Sequence, residues 1–201
     1  ENGKYGIIGS EGKVILANTY DKVFKATGSD KYVVTDGLKT KLISKDGTVL
    51  LDSGFDEITE INGDYLTVKK VGKYGVITTS GETVIDTAFD DLKNCFGEYY
   101  IARTAGKYGV IDLAKDIRVE FKYTDIEYRS DIASLICDNE DYTTDVFTRD
   151  LNFVFTGTIN KVDTTNGYIR ARIGDEYRYY NLQYQEIANT DALKNNTLFL
   201  V

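Results

Sequence analysis

The tetrapeptide Gly-Lys-Tyr-Gly is written three times in this chain, at residues 3–6, 72–75 and 106–109. The second and third copies lie 34 residues apart and the first two 69 apart, so the chain is built on a period of 34–35 residues and a worn copy is due between the first two. The segment KTKLISKDG (Lys39–Gly47) fills the gap, with Leu42-Ile43 in the place of Ile7-Ile8 and Val76-Ile77, and Gly47 in the place of Gly12 and Gly81. A period of this length means that one supersecondary unit recurs and buries its apolar face against its neighbours.

Each unit opens with a short apolar strand, turns at a glycine, and continues in a second strand: KVIL, TVLL, TVID. Gly12, Gly47 and Gly81 are expected at positive φ, where a Cβ would clash. An aromatic and an acidic residue follow, at Tyr20-Asp21, Phe55-Asp56 and Phe89-Asp90, with Tyr123-Thr124 in the fourth place. The apolar anchors just after them, Val23, Ile58, Leu92 and Ile126, step by 35, 34 and 34, and the ladder continues to Val162 and Leu193. A turn then comes at Gly28, Asn62-Gly63, Gly97, Asp131, Asn166-Gly167 and Asn195-Asn196, and a further strand after each: KYVVT, DYLTVKK, EYYIAR, IASLIC, GYIRAR, NTLFLV. Asn-Gly between alternating apolar runs is a hairpin signal.

The pattern gives six units of four short strands with tight turns and no helical periodicity. It predicts an all-β chain, read as one domain over residues 1–201: six four-stranded antiparallel repeats forming a small-bladed six-bladed β-propeller. The alternative is an open stack of β-hairpins. The chain enters and leaves in mid-unit, so the expected closing blade joins Lys4–Ile8 and Lys13–Leu16 to strands around Leu193 and Thr197–Val201. DYLTVKK pairing with KYGVITT is the continuous counterpart of that closure. A closed ring covers the apolar edge TLFLV, which an open stack leaves bare.

The formal net charge of −8 and the lack of a basic cluster speak against nucleic acid or anionic membrane as partner. His is absent, which excludes Ser-His-Asp and Cys-His nucleophile pairs and any His-ligated metal. The two cysteines, Cys95 and Cys137, are too few for a zinc cluster and read as small apolar fillers, a disulfide being the minority reading. No apolar run is long enough to span a membrane as a helix. Met is also absent, so the chain reads as a processed or trimmed product.

The units GKYGIIGSEGKVILANTYDKV and GKYGVITTSGETVIDTAFDDL resemble the bacterial WG (KWG) repeat family, whose pattern runs Gly-Lys-Trp-Gly, an apolar pair, Asp, a turn glycine, an apolar strand and Pro-Pro-x-Tyr-Asp. The resemblance covers residues 3–126 and fades after about residue 140, where only the spacing continues. Tyr5, Tyr74 and Tyr108 stand where the family has Trp, and no proline precedes Tyr20 or Phe55. An aromatic is kept in both places, whereas the proline-stiffened turn is lost. The resemblance implies a repeat scaffold attached to bacterial envelope proteins, extracytoplasmic or on the cell surface, and brings no catalytic residues.

Among candidate sites, GIIGSEGKV (Gly6–Val14) fails as a phosphate loop: five residues separate Gly6 from Gly12, and Val14 replaces Ser/Thr. Asp21, Asp56 and Asp90 recur at one place in successive units, which favours a turn or cap role over cation or sugar binding. The stretch CDNEDYTTD, with Asp138, Glu140, Asp141 and Asp145, lacks the oxygen ladder and turn glycine of a calcium loop and reads as a solvated turn. Tyr177, Tyr179, Tyr180 and Tyr184 concentrate aromatic surface suited to carbohydrate or a protein partner. The expected function is a non-catalytic binding or scaffold module, a monomer without cofactor or metal, with a protein or carbohydrate partner. The alternative is a glycoside-active enzyme using a carboxylate pair in a propeller channel.

Overall fold

The computed structural model describes residues 3–25, 30–37, 39–52 and 54–188, and every regular element among them is a β-strand. A hairpin of β1 (Tyr5–Ile8) and β2 (Val14–Tyr20) is followed by five four-stranded sheets, each with its strands in chain order. The first holds β3 (Lys22–Lys25), β4 (Lys31–Asp36), β5 (Lys39–Ser44) and β6 (Val49–Asp52). The second holds β7 (Glu57–Asn62), β8 (Tyr65–Lys70), β9 (Lys73–Thr78) and β10 (Thr83–Phe89). The third holds β11 (Asp91–Phe96), β12 (Tyr99–Thr104), β13 (Lys107–Asp112) and β14 (Ile117–Tyr123). The fourth holds β15 (Asp125–Arg129), β16 (Ser134–Asp138), β17 (Thr144–Thr148) and β18 (Phe153–Thr156). The fifth holds β19 (Thr158–Asp163), β20 (Tyr168–Ile173), β21 (Glu176–Asn181) and β22 (Glu186–Ile187).

Each sheet is thus half a repeat out of phase with the sequence unit: it takes the last two strands of one unit and the first two of the next. DYLTVKK pairs with KYGVITT as expected, from Tyr65 opposite Thr78 to Lys70 opposite Lys73. The strands expected at Leu193 and Thr197–Val201 lie outside the described residues, as does the turn at Gly28.

The turn chemistry explains the first glycine of Gly-Lys-Tyr-Gly. Between β8 and β9 only Val71 and Gly72 turn the chain, at φ 50° and 77°, and Ala105 and Gly106 do the same between β12 and β13 at 49° and 79°. Two consecutive positive φ values match the twist of the flanking strands. Gly12, Gly47 and Gly81 take φ of 77°, 91° and 92°, as their turn positions require.

The second glycine has a different reason. In β1–β2 and in β9–β10 the ladder slips, so that three residues of the first strand (Tyr5–Ile7, Tyr74–Val76) face five of the second (Leu16–Tyr20, Ile85–Phe89). The bulge presses onto Gly6 and Gly75. A Cβ on Gly75 would stand 2.6 Å from the carbonyl oxygen of Ile85 and 2.8 Å from the backbone of Asp86 and Thr87. The tyrosine between the two glycines lies opposite the next repeat aromatic, Tyr5 facing Tyr20 and Tyr74 facing Phe89.

Contacts divide the chain into two compact units, Glu1–Gly106 with Val110–Ile117, and Lys107–Gly109 with Arg118–Val201. In the first, Val33 and Leu42 of one sheet pack on Ile58, Leu66, Val68 and Ile77 of the next, with Phe55 alongside. In the second, Ile132, Val146 and Phe155 pack on Ile169, Ala171 and Tyr180. Each fully buried Val, Leu or Ile contributes about 1.5–3 kcal/mol, and the stacked sheet faces supply most of it. The anchors Ile58, Leu92 and Ile126 are all buried. Cys95 and Cys137 are free thiols, Cys137 fully buried as a filler.

Two substitutions test this account in opposite directions. Gly75→Ala is expected to lower stability by about 2 kcal/mol or more, because the obstructing atoms are backbone. Val71→Asn is expected to raise it by about 1 kcal/mol, because a β-branched residue at positive φ is replaced by one that tolerates it. Urea denaturation of both variants beside the parent measures each change.

Candidate functional site

The recurring acidic residues act as clasps. The main-chain N–H of Asp21, Asp56, Asp90 and Thr124 donates to the carbonyl of Thr35, Lys69, Arg103 and Asp138 respectively, at 2.7–2.9 Å. The Asp21 carboxylate also accepts from the Gly37 N–H at 2.8 Å, and that of Asp56 from the strained Val71 N–H at 2.7 Å. Lys4 and Lys73, the lysines of Gly-Lys-Tyr-Gly, pair with Asp21 and Asp90. Those lysines, with the Gly37 N–H at Asp21, hold both carboxyls below the ordinary range. Every group in this set is spent on a turn. Phe55 lies under the Lys70 ammonium, 5.7 Å from its ring centre, and Tyr108 is half-buried.

The pattern breaks in the fourth repeat, and the break makes a cleft. Lys4 and Lys73 each find an aspartate 17 residues on; the residue 17 after Lys107 is Thr124, and Lys107 pairs instead with Glu140. The β17 strand then places Asp145 where β9 and β13 carry their second glycine, Gly75 and Gly109. Asp145 is 6% exposed. Its Oδ1 accepts from the Thr156 hydroxyl at 2.6 Å, and its Oδ2 from the Tyr123 hydroxyl at 2.9 Å and the Lys122 ammonium at 3.3 Å. Burial alone would raise its pKa, but bonds from Thr156, Tyr123, Asn139 and Lys122 outweigh it and hold the carboxyl below the usual range. The Tyr123 phenol is pushed up, by burial first and then by its bond to Asp145.

Lys107, Lys122, Asn139, Glu140, Asp145 and Thr156 line an open cleft of about 710 Å³, wholly within the second compact unit, with Phe121 its aromatic wall. The Lys122 ammonium lies 4.8 Å from the centre of the Tyr123 ring. The acidic stretch is a tight turn as expected, with the Asn139 N–H donating to Thr143 O and Tyr142 at φ 64°. Asp141 is turned inward onto Thr143, accepting from its N–H and its hydroxyl. Asp145, read as part of that solvated turn, is instead buried, because the turn ends at Thr143 and β17 carries it beneath Tyr123. Its signal in the sequence was positional: it falls on the frame of the second glycine. No group of three or more metal-ligating side chains occurs among the described residues.

The four tyrosines singled out in the sequence do not share one face. Tyr180 and Tyr184 belong to the core: Tyr180 stacks on Phe155 at 5.1 Å, and the Tyr184 hydroxyl is 2.6 Å from Ser134 Oγ. Tyr177 and Tyr179 point to the opposite side of β21, Tyr177 exposed with the Arg170 guanidinium 5.0 Å from its ring centre, Tyr179 against Tyr168. The period-2 alternation of a strand separates them.

A model of the WG containing repeat matches residues 42–74 and 74–108. Residues 42–108 are WG repeats. The matched stretch contains the clasp residues Asp56 and Asp90 and the second Gly-Lys-Tyr-Gly. No curated protein sequence matches the chain. Among solved structures it is similar to Kluyveromyces lactis Hsv2p, with a TM-score of 0.50 and 6% identity over 90% of this chain and 67% of that one. It is also similar to a eukaryotic initiation factor, with a TM-score of 0.53 and 9% identity over 88% of this chain and 56% of that one. The likeness is to propeller-like folds and concerns the fold alone, and this chain spans about two thirds or less of those structures' length. The fold class read from the repeat, all-β with four-stranded units of propeller type, is the observed one.

Two measurements check the electrostatics. Tyr123→Phe is expected to destabilise the fold by about 1–3 kcal/mol, since it removes a bond to a buried charge. It should also raise the Asp145 pKa, read by carboxyl NMR titration. Asp163, bonded by the Asn166 side chain and N–H and by Lys161, is lowered from 3.8 to about 2. A depressed carboxyl stabilises the fold at every pH above its unfolded value and loses that contribution as pH falls through the folded one. The Asp163 contribution is therefore expected to be constant above its unfolded value of 3.8 and to be lost toward pH 2, so that acid destabilisation is less steep in Asp163→Asn.

Proposed function

We propose that the chain is a non-catalytic binding or scaffold module of a bacterial, envelope-associated repeat protein. The observation that carries this reading is the division of labour among its carboxylates. The recurring ones are consumed by turns, and the buried one in the cleft is saturated by donors that keep it ionised. A glycoside hydrolase needs a carboxylic acid whose pKa is raised so that it protonates the leaving oxygen. Asp145 and Asp141 are both held in the opposite direction. What the cleft and the exposed tyrosine face offer is hydrogen bonding and stacking, the means of a binding surface for protein or carbohydrate.

The test is turnover. Prolonged incubation with p-nitrophenyl glycosides and soluble polysaccharides is expected to release no nitrophenol and no new reducing ends above buffer, and a fluorophosphonate probe is expected not to label the chain. Release that is abolished in Asp145→Asn would replace the module reading with the enzyme reading.

A further inference from the structure

We infer that the cleft built around Asp145 is a saccharide-binding site for a neutral oligosaccharide. The inference rests on the module reading and adds to it the place and the ligand class. The cleft lies where the repeat departs from its own rules. Lys4 and Lys73 pair with an aspartate where Lys107 meets Thr124, and the Asp145 position holds glycine at Gly6, Gly75 and Gly109 and a lysine at Lys41, so neither Lys107–Glu140 nor a buried carboxylate is required by the architecture of a repeat.

The chemistry of the lining selects the ligand. Ammonium donors (Lys107, Lys122) alternate with carboxylate acceptors (Glu140, Asp141) and with the amide of Asn139, which both donates and accepts. A sugar hydroxyl also donates and accepts, and a pyranose ring carries several at fixed spacing. Phe121 supplies the flat apolar wall on which the C–H face of a sugar lies. The lining contains no other apolar side chain, so it offers no pocket for the anchor residue of a peptide. Two ammonium groups stand against three carboxylates, which leaves little net charge to favour a strongly ionic ligand. The cleft is open to solvent, which admits a chain of sugars as an enclosed pocket would not.

Asp145 serves this site as a positioning residue. Its carboxylate holds Lys122, Tyr123 and Thr156 in place, and a buried charge with fixed partners keeps those side chains from collapsing onto one another. Lys122 is 57% exposed beyond that bond, and its ammonium retains donors for a ligand hydroxyl.

The experiment uses the whole chain, with chitotetraose, cellotetraose and maltotetraose as separate probes in calorimetry and saturation-transfer NMR, and a neutral capped octapeptide as the competing class. At least one saccharide is expected to saturate the protein below about 10 mM. Amide shifts should be confined to residues 107, 121–122, 139–145 and 156. Asn139→Ala and Lys122→Ala, both at the surface and spared the folding risk of Asp145→Asn, are each expected to weaken binding about 10-fold. Glu11→Ala, in the exposed turn between β1 and β2 and outside the cleft, should leave it unchanged. The assignment is overturned if none of the three saccharides saturates, if shifts fall outside the cleft, if both cleft variants bind like the parent, or if the octapeptide displaces the sugar. The two readings fail separately: a bound saccharide that is hydrolysed ends the module reading and keeps the site, whereas a protein partner bound elsewhere with no saccharide affinity ends the site and keeps the module.

Discussion

A main-chain hydrogen bond recurs at four successive sheet junctions, from the N–H of Asp21, Asp56, Asp90 and Thr124 to the second strand of the following sheet. It closes before any apolar packing between sheets is counted, and it sets the step by which one sheet follows the last. A four-stranded sheet of this kind is marginal by itself. It gains its stability from the next sheet, and the distance and orientation of that contact are decided at the clasp. The aspartate side chain strengthens the device by accepting from the next turn, where Val71 is held at positive φ. The apolar core of the first compact unit lies between sheets joined in this way.

The position of the second glycine shows how one repeat frame accommodates two kinds of edge strand. Where glycine is present, β2 and β10 bulge against it, and the fourth strand, including β14, runs for seven residues. Where a charged side chain stands there, as with Lys41 and Asp145, the fourth strand has four residues, β6 and β18, and the side chain pairs across to Asp52 or Thr156. A missing Cβ permits close backbone approach; a Cβ with a charge forbids it and finds a partner on the adjacent strand. The cleft at Asp145 follows from that exchange, since the shorter strand leaves room that the bulge would fill.

Likeness of fold does not carry function at 6–9% identity. The WG repeat match extends over two periods, and its motif residues are the ones engaged in turns, bulges and clasps. Function in such a scaffold resides where the repeated residues are released from those duties. The site we propose lies where the fourth and fifth units meet: Thr124 takes the aspartate's place, Lys107 reaches Glu140, and a carboxylate is buried among four donors.

The sequence alone determined the period, the strand content and the turn chemistry, because these are local matters. Glycine at positive φ, alternation along a strand and an aromatic-acidic signature every 34–35 residues need no knowledge of distant neighbours. The structural duty of Asp21, Asp56 and Asp90 was legible for the same reason, since recurrence at a fixed frame position marks a turn. The reason for the second glycine was not legible, because it lies in a backbone ten or more residues away, pressed close at a bulge. Nor was the division of the tyrosines: Tyr180 and Tyr184 are drawn into a core by Phe155 and Ser134 of a different sheet, while Tyr177 faces outward. Asp145 is the sharpest case. In the sequence it is one acidic residue among several in a polar stretch. Only tertiary packing sets Tyr123, Thr156 and Lys122 around it, and burial with those donors turns a surface charge into the fixed centre of a cleft.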